Sequence, residues 1–233
     1  MSPPSRHFPH NDDTAESGIF IHETSTVEPP SQIGANTTVH QFSHVMSNAI
    51  IGRSCKIGRN VTIESGVMVG NFVDIMHNSQ INSGVIVEDN VYCGFSVVFE
   101  DTRRIRATPK TISQVSPTIV RKGASIGANT TVASGNTIGQ FSFIEAGSIV
   151  DRNIPDFAVA CGNPIQLIGW RCKCGQALTL KKNQKAVKCN YCNRHYNRQS
   201  QWKLIPFVQD TAIIDAHTNP YSQSHPAIRT SQQ

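Results

Sequence analysis

Residues 45–75 read VMSNAIIGRSCKIGRNVTIESGVMVGNFVDI, and every sixth position from Val45 is isoleucine or valine. The same period runs from Ile21 to Phe99, stops, and resumes in a new phase from Val120 to Val150. Twenty positions follow it, and eighteen of them are isoleucine or valine. A fixed period indicates units that stack on their neighbours, and β-branched side chains favour strands. The sequence therefore predicts an all-β solenoid.

The other positions of the six-residue unit also follow a rule. The residue after the aliphatic site is often glycine, and two positions later asparagine or glycine is common, as at Asn36, Asn60 and Gly66. These two residue types tolerate the left-handed backbone region, so the pattern predicts a short strand and a corner every six residues. The chain has only four leucines, all after residue 166, which argues against a helix bundle or a Rossmann-type domain.

Over residues 21–165 this pattern resembles the hexapeptide repeat of left-handed parallel β-helix acyltransferases. The resemblance implies three units per triangular coil, somewhat under seven coils, and flat faces that pack three chains into a homotrimer. The alternatives are a right-handed solenoid or an ordinary β-sandwich, neither of which demands a period of six. The resemblance also implies that the last coils receive the nucleotide end of acetyl-CoA, with Ala128, Ala146, Arg152 and Pro164 as contacts. The closing segment can equally be a structural cap.

Residues 100–117 interrupt the period and predict an external loop, and long loops are often functional. Its charged residues Glu100, Arg103 and Arg104 are candidate substrate contacts. Arginine forks suit a pyrophosphate or a sugar carboxylate. The alternative is a solvated basic loop.

Four cysteines near the C-terminus, Cys172, Cys174, Cys189 and Cys192, form two close pairs separated by fourteen residues. This spacing predicts a zinc ribbon in which four thiolates hold one structural Zn²⁺. The first pair has a single intervening residue, where two are commoner, so His195 is the alternative fourth ligand, and free thiols are the other interpretation.

Residues 171–203 hold nine lysines and arginines and no acidic residue, although the whole chain carries only +5. A basic ribbon can bind nucleic acid, but no base-reading motif accompanies it. A cover over nucleotide phosphates or an oligomer contact explains the charge equally well. A non-catalytic scaffold with a nucleic-acid- or partner-binding ribbon is therefore the alternative to an enzyme.

No histidine lies between His77 and His195, which argues against a γ-class carbonic anhydrase. The set His44, His77-Asn78, Val91-Tyr92-Cys93-Gly94 and the ending GNPIQLIGW resembles a narrower group. These are acetyl-CoA-dependent N-acetyltransferases acting on nucleotide-linked 3-amino sugars, of the UDP-amino-glucuronate type, in surface polysaccharide biosynthesis. The resemblance implies that Asn78 orients the amine. His77 or His44, or the departing thiolate, would take its proton, and His44 would contact substrate. Asparagine is common at this position for backbone reasons alone, and O-acetyl transfer by the same fold stays open.

The expected organisation has a disordered tail at 1–17, the β-helix at 18–168, the zinc ribbon at 169–207 and a second disordered tail at 208–233. The sequence contains no apolar run of about 18 residues, so no membrane span is expected. The default compartment is the cytoplasm, where disulfides are rare and cysteines serve as thiols or metal ligands.

Overall fold

The computed structural model describes residues 18–100, 117–181 and 184–207, which form 26 strands and no helix. Consequently, no helix in this part of the chain could cross a membrane. The strands belong to three sheets that are parallel along the repeat, plus a small antiparallel sheet at the C-terminal end. The predicted parallel β-helix of hexapeptide repeats is confirmed.

The repeat forms three faces, because each strand pairs in parallel with the strand one full coil later. Strands are numbered in chain order. Face 1 contains Phe20–Ile21 (β1), Thr38–Val39 (β4), Lys56–Ile57 (β7), Asp74–Ile75 (β10), Tyr92–Cys93 (β13), Ser125–Ile126 (β16), Phe143–Ile144 (β19) and Ala158–Cys161 (β21). Face 2 contains Thr26–Val27 (β2), His44–Val45 (β5), Thr62–Ile63 (β8), Gln80–Ile81 (β11), Val98–Phe99 (β14), Thr131–Val132 (β17) and Ile149–Val150 (β20). Face 3 contains Gln32–Ile33 (β3), Ile50–Ile51 (β6), Met68–Val69 (β9), Val85–Val87 (β12), Thr118–Val120 (β15) and Thr137–Ile138 (β18).

The core lies inside this prism and consists of the periodic aliphatic residues. Ile57, Ile63, Ile75 and Ile126 have no exposed surface. Several buried hydroxyl groups also face inward and donate to carbonyl oxygens; Ser43 Oγ, for example, donates to Gly58 O over 2.6 Å. Short, stiff side chains therefore fill a narrow interior, which explains why leucine is absent from the repeat.

The interruption of the period does not break the stacking of the coils. β12 and β15 pair in register across it, with Val85 opposite Thr118. In the sequence, the insertion falls after β14 of face 2 and before β15 of face 3. Residues 101–116 lie outside the described part of the chain.

The C-terminal unit continues the last coil. Gln166–Arg171 (β22) and Ala177–Leu178 (β23) extend face 1 in antiparallel fashion. Ala186–Lys188 (β24), His195–Ser200 (β25) and Lys203–Pro206 (β26) form the separate antiparallel sheet. Its Tyr196 packs edge-on against Phe157, which stacks on Phe141 at the prism corner. The two parts therefore share one apolar core.

Candidate active site and metal centre

The predicted catalytic pair and two predicted acetyl-CoA contacts lie on one edge of the prism. This edge, where the chain passes from face 1 to face 2, is called the 1–2 edge and comprises residues 22–25, 40–43, 58–61, 76–79, 94–97, 127–130 and 145–148. Backbone hydrogen bonds connect its coils in order. The pairs are Asn78 N to Arg59 O, Ser96 N to His77 O, Asn129 N to Phe95 O and Gly147 N to Ala128 O.

The ring of His77 contacts both neighbouring coils, which fixes its position. Its Nδ1 accepts a 2.8 Å hydrogen bond from the backbone N–H of Arg59 in the preceding coil. Its ring also meets Phe95 of the following coil edge-on, with centroids 5.4 Å apart. Because Nδ1 uses its lone pair, the neutral ring carries its proton on Nε2 and presents a donor there.

Asn78 occupies the left-handed corner position, with φ at 63°. Its side chain is exposed, and Oδ1 accepts a 3.1 Å hydrogen bond from Nδ2 of Asn60 one coil earlier. The amide Nδ2 of Asn78 is not used in that bond, so it can donate a hydrogen bond to a ligand on the edge.

Backbone donors continue along the same edge. The N–H groups of His77, Phe95, Ala128 and Ala146 have no hydrogen-bond partner within the described residues. They occupy successive coils, and strand spacing places such coils about 4.8 Å apart. A row of unpartnered N–H groups suits carbonyl or phosphate oxygens laid along the edge.

His44 lies on face 2 and forms a hydrogen bond to the Glu28 carboxylate that the sequence did not predict. Its Nε2 is 2.6 Å from Glu28 Oε1, and Ser47 N donates to the other carboxylate oxygen. These two hydrogen bonds, His44 first, lower the pKa of Glu28. His44 stands opposite Thr62, which stands opposite Gln80, so two coils separate it from the strand that follows Asn78. The sequence could have predicted this contact, because Glu28 directly follows β2, and β2 pairs with the strand that contains His44.

The remaining predicted contacts lie in different places. Pro164 follows Gly162, whose carbonyl accepts from Ile149 N at the C-terminal end of the 1–2 edge. Arg152 lies instead at the edge between faces 2 and 3, where its Nε is 2.9 Å from Asp151. Glu100 directly follows β14 near that edge, with its N–H bonded to Val132 O. Arg103 and Arg104 lie outside the described residues.

The four predicted zinc ligands come together. The sulfur atoms of Cys172, Cys174, Cys189 and Cys192 all lie within 4.8 Å of one another, with Cys172 to Cys192 at 3.4 Å and Cys174 to Cys189 at 3.6 Å. Zn–S bonds of about 2.3 Å in a tetrahedron require sulfur separations of about 3.8 Å, so the cluster fits one zinc ion. His195 is exposed and does not belong to this group.

The surroundings favour the thiolate at Cys189 but not at Cys172 or Cys174, whose pKa values are raised by burial. Burial also opposes ionisation of Cys189, but hydrogen bonds from the N–H groups of Cys192 and Tyr191 and from the thiols of Cys172 and Cys174 outweigh it and lower its pKa to about 7. The Tyr196 hydroxyl lies 3.1 Å from Cys172 Sγ and accepts from Lys173 N. Arg194 Nη1 lies 3.5 Å from Cys192 Sγ. Donors of this kind hold metal ligands in place.

Comparisons with known proteins identify the repeat. Residues 30–65 match the family of bacterial transferase hexapeptides (six repeats). Over 72 residues, 31% of this chain, the sequence is 49% identical to dTDP-3-amino-3,6-dideoxy-alpha-D-galactopyranose 3-N-acetyltransferase of Aneurinibacillus thermoaerophilus. Over 55 residues, 24% of this chain, it is 34% identical to the putative acetyltransferase YvoF of Bacillus subtilis strain 168. The matches span 38% and 32% of these relatives' lengths.

A solved structure with a similar shape is the N-acyltransferase AntD from Bacillus cereus, in complex with dTDP and 3-hydroxybutyryl-CoA. The TM-score is 0.46 at 20% sequence identity, over 66% of this chain and 81% of that chain.

Proposed function

We propose that this protein is an acetyl-CoA-dependent N-acetyltransferase that acts on the amino group of a nucleotide-linked amino sugar, in surface polysaccharide biosynthesis. The observation that carries the proposal is the 1–2 edge, where the exposed side chain of Asn78 lies next to His77 and the N–H of His77 begins a row of unpartnered N–H groups that continues to Ala146. The 49% identity to a dTDP-amino-sugar 3-N-acetyltransferase supports this substrate class. The reaction would take place in the cytoplasm, where acetyl-CoA is available.

In this proposal acetyl-CoA lies along the C-terminal part of the 1–2 edge. Its amide carbonyls accept from the N–H groups of Ala128 and Ala146, and Pro164 contacts its nucleotide end. Arg152 lies on the edge between faces 2 and 3, beside Asp151, and is not part of this path. The thioester then lies near Phe95 and His77. The N–H groups of these two residues, with His77 Nε2–H, stabilise the oxyanion that forms when the amine attacks.

Asn78 orients the attacking amine, since an amide can hydrogen-bond but cannot accept a proton as a base. His77 Nδ1 is occupied by Arg59 N, and His44 lies two coils, about 10 Å, from the strand after Asn78. The amine proton therefore goes to the thiolate of coenzyme A as the C–S bond breaks and the amide C–N bond forms. No covalent enzyme intermediate is required, because alignment of two substrates supplies the proximity.

The substrate contacts assigned to the loop complete the sugar site. Arg103 and Arg104 would bind a carboxylate on the sugar, with Glu100 accepting from its hydroxyl groups. His44, fixed by Glu28, would contact substrate from face 2. A sugar acid of the UDP-amino-glucuronate type would use the loop arginines, whereas a deoxysugar would not.

The C-terminal cysteine cluster would hold a structural Zn²⁺ with four thiolates and no open coordination position. The spacing of the four sulfur atoms supports this assignment. The metal would fasten the loop between β22 and β23 to the loop between β24 and β25. The bound metal would therefore connect the small antiparallel sheet to the end of the β-helix.

We expect a homotrimer, and face 3 supports it. The outward residues of its central strands, Ile50, Met68, Ile86 and Ile119, form an apolar stripe, with Ile50 and Met68 both 43% exposed. On the 1–2 edge, Phe42 and Phe95 are exposed as well. In a threefold ring the two contacting surfaces of each chain differ, so the stripe of one chain would cover the edge of the next.

The function is tested with the full zinc-loaded chain, acetyl-CoA and a panel of UDP- and dTDP-linked 3-amino sugars with and without a carboxylate. Released thiol and the acetylated sugar mass are measured together. Stoichiometric thiol and amide product with at least one amino sugar is expected, with none from the matched 3-hydroxy sugars. Turnover of only the hydroxy sugars would establish O-acetyl transfer. No turnover together with no acetyl-CoA thermal shift would overturn the proposal.

A further inference from the structure

The N-terminal part of the 1–2 edge carries a group of basic side chains that the proposed mechanism leaves unused. His22, His40 and Arg59 occupy three successive coils before His77. Between residues 22 and 95, the two positions of each coil that follow the face 1 strand contain one acidic residue, Glu23. The N-terminal part of the edge is therefore mainly basic, whereas the part where acetyl-CoA would lie has no lysine, arginine or histidine and contains Glu145.

These side chains present donors. His22 Nδ1 accepts from Thr24 N at 3.2 Å, so the neutral ring carries its proton on Nε2, as in His77. Arg59 forms no ion pair with a described carboxylate. The ring of His40 makes no hydrogen bond within the described chain. Burial, followed by the charges of His77, Arg59 and His22, lowers its pKa.

Side chains that offer hydrogen-bond donors are suited to binding an anion and not a metal ion. A metal requires ring-nitrogen lone pairs, but those of His22 and His77 are used by backbone N–H groups. Among the described residues only the four cysteines form a group that could hold a metal. Arginine and imidazole N–H groups are suited to phosphate oxygens.

We propose that His22, His40 and Arg59 form the subsite for the diphosphate of the nucleotide-linked substrate. This inference rests on the proposed function, because Asn78 fixes where the sugar amine lies. Asn78 N bonds to Arg59 O, so Arg59 is one coil away, and His40 is two coils away. A pyranose ring is about as wide as one coil spacing of about 4.8 Å. A diphosphate on the anomeric carbon therefore reaches Arg59 and His40.

The subsite orients both substrates. The nucleotide extends towards the N-terminal coils and acetyl-CoA towards the C-terminal coils, so they meet at Asn78 without competing for one groove. Because Arg59 binds the diphosphate, the loop arginines are left for a sugar carboxylate.

The test is isothermal titration of UDP and dTDP, without any acyl donor, into the full chain. Arg59→Ala should weaken the Kd for both diphosphates about tenfold or more. Arg59→Lys should lose less, since it keeps the charge. The control is Arg53→Ala, because Arg53 occupies the same position of the unit on another edge, where it contacts Phe72; its Kd should stay within about twofold. Melting temperatures establish that the variants fold.

Two outcomes would overturn the subsite: a wild-type chain that binds neither diphosphate, or an Arg59→Ala variant that binds like Arg53→Ala. Failure of the subsite can be distinguished experimentally from failure of the proposed function. Acetylation of an amino sugar with unchanged diphosphate binding in Arg59→Ala refutes the subsite alone. Arg59-dependent diphosphate binding without acetylation of any amino sugar refutes the proposed function alone.

Discussion

His77 fills a position that other corners give to asparagine or aspartate. Asn71 Oδ1 accepts from Arg53 N, Asp89 Oδ1 from Asn71 N, and Asp156 Oδ1 from Gln140 N, at 2.7–3.0 Å. In each case an acceptor side chain satisfies a backbone donor in the preceding coil. His77 does the same with Nδ1, which leaves Nε2 as the donor of the neutral ring. One residue therefore combines a structural bond with the proposed chemistry.

Two substitutions separate these roles. His77→Asn keeps an acceptor for Arg59 N, so the free energy of unfolding should stay close to that of the wild type. His77→Ala loses the bond and should cost about 1 kcal/mol in urea unfolding. Both variants lack Nε2–H, so both should lower kcat for amino-sugar acetylation by about tenfold to a hundredfold. The shape of the pH profile should not change, because the ring is not the base.

Asn71→Ala is the matched control for His77, since it removes the equivalent bond on another edge. It should lower stability by a similar amount and leave kcat unchanged. A fully active His77→Asn variant would assign His77 to the structure alone and leave Asn78 as the proposed residue at this corner.

At this scale the sequence predicts the corners only in part. Asparagine and glycine mark the left-handed positions, yet Phe42, Phe72, Phe141, Ser54 and Ser96 also have φ between 52° and 60°. Stacking of each coil on its neighbours imposes that backbone conformation, so it overrides the residue's own preference. The hydrogen bond between Glu28 and His44 was not predicted either, because it depends on how successive coils stack.

At the scale of elements, the corner glycines allow the coils to approach each other. An added Cβ on Gly127 would lie 2.4 Å from Ala146 N, and one on Gly94 would lie 2.7 Å from Ala128 N. Both neighbours are backbone atoms, which cannot rotate away. The glycines after the face 1 strands therefore set the spacing of the N–H row on the 1–2 edge.

Gly127→Ala should consequently destabilise the protein by about 1–3 kcal/mol, because the coil must shift to accept the methyl group. The same shift displaces Ala146, so the KM for acetyl-CoA should also rise. Gly169→Ala is the control, since its added Cβ meets nothing within 4 Å. Its melting temperature and KM should match the wild type. Equal melting temperatures for the two variants would contradict the tight packing at Gly127.

The C-terminal unit shows how one sequence pattern becomes two connected elements. Its two cysteine loops belong to different sheets, and Tyr196 connects them by packing on Phe157 and bonding at Cys172. Cysteine spacing predicted the cluster. The packing on the last coil was not predictable, because it depends on aromatic residues 39 positions apart, Phe157 and Tyr196.

Metal analysis tests the cluster directly. Purified chain should contain about one zinc per protein, and Cys189→Ser should contain far less. Cys161→Ser serves as the control, because Cys161 lies outside the cluster and should leave the zinc content unchanged. Chelation should lower the melting temperature of the wild type, since a metal in this cluster would join two sheets. A zinc-free, fully stable wild type would refute the four-cysteine site.

At the scale of the whole molecule, the three faces differ in what they present to solvent. Central positions of face 1 include Lys56 and Asp74, and those of face 2 include Thr62 and Gln80. Only face 3 presents apolar side chains on four successive strands of its described part, at Ile50, Met68, Ile86 and Ile119. The inward period revealed the prism from sequence, but outward positions follow no period. The distinction between faces therefore emerges only when the strands are assigned to sheets.

An apolar stripe of this kind should be covered in solution, because burying apolar surface contributes roughly 25 cal/mol per Å². Light scattering should give a trimer for the wild type and a smaller species for Met68→Lys. Thr62→Lys, on the adjacent face, adds the same charge at a neighbouring strand and should remain trimeric. If the stripe of one chain covers the 1–2 edge of the next, Met68→Lys should also lose acetylation while its monomer keeps the β-sheet circular dichroism spectrum. A trimeric Met68→Lys would move the interface to another face, and a fully active monomer would place the whole site within one chain.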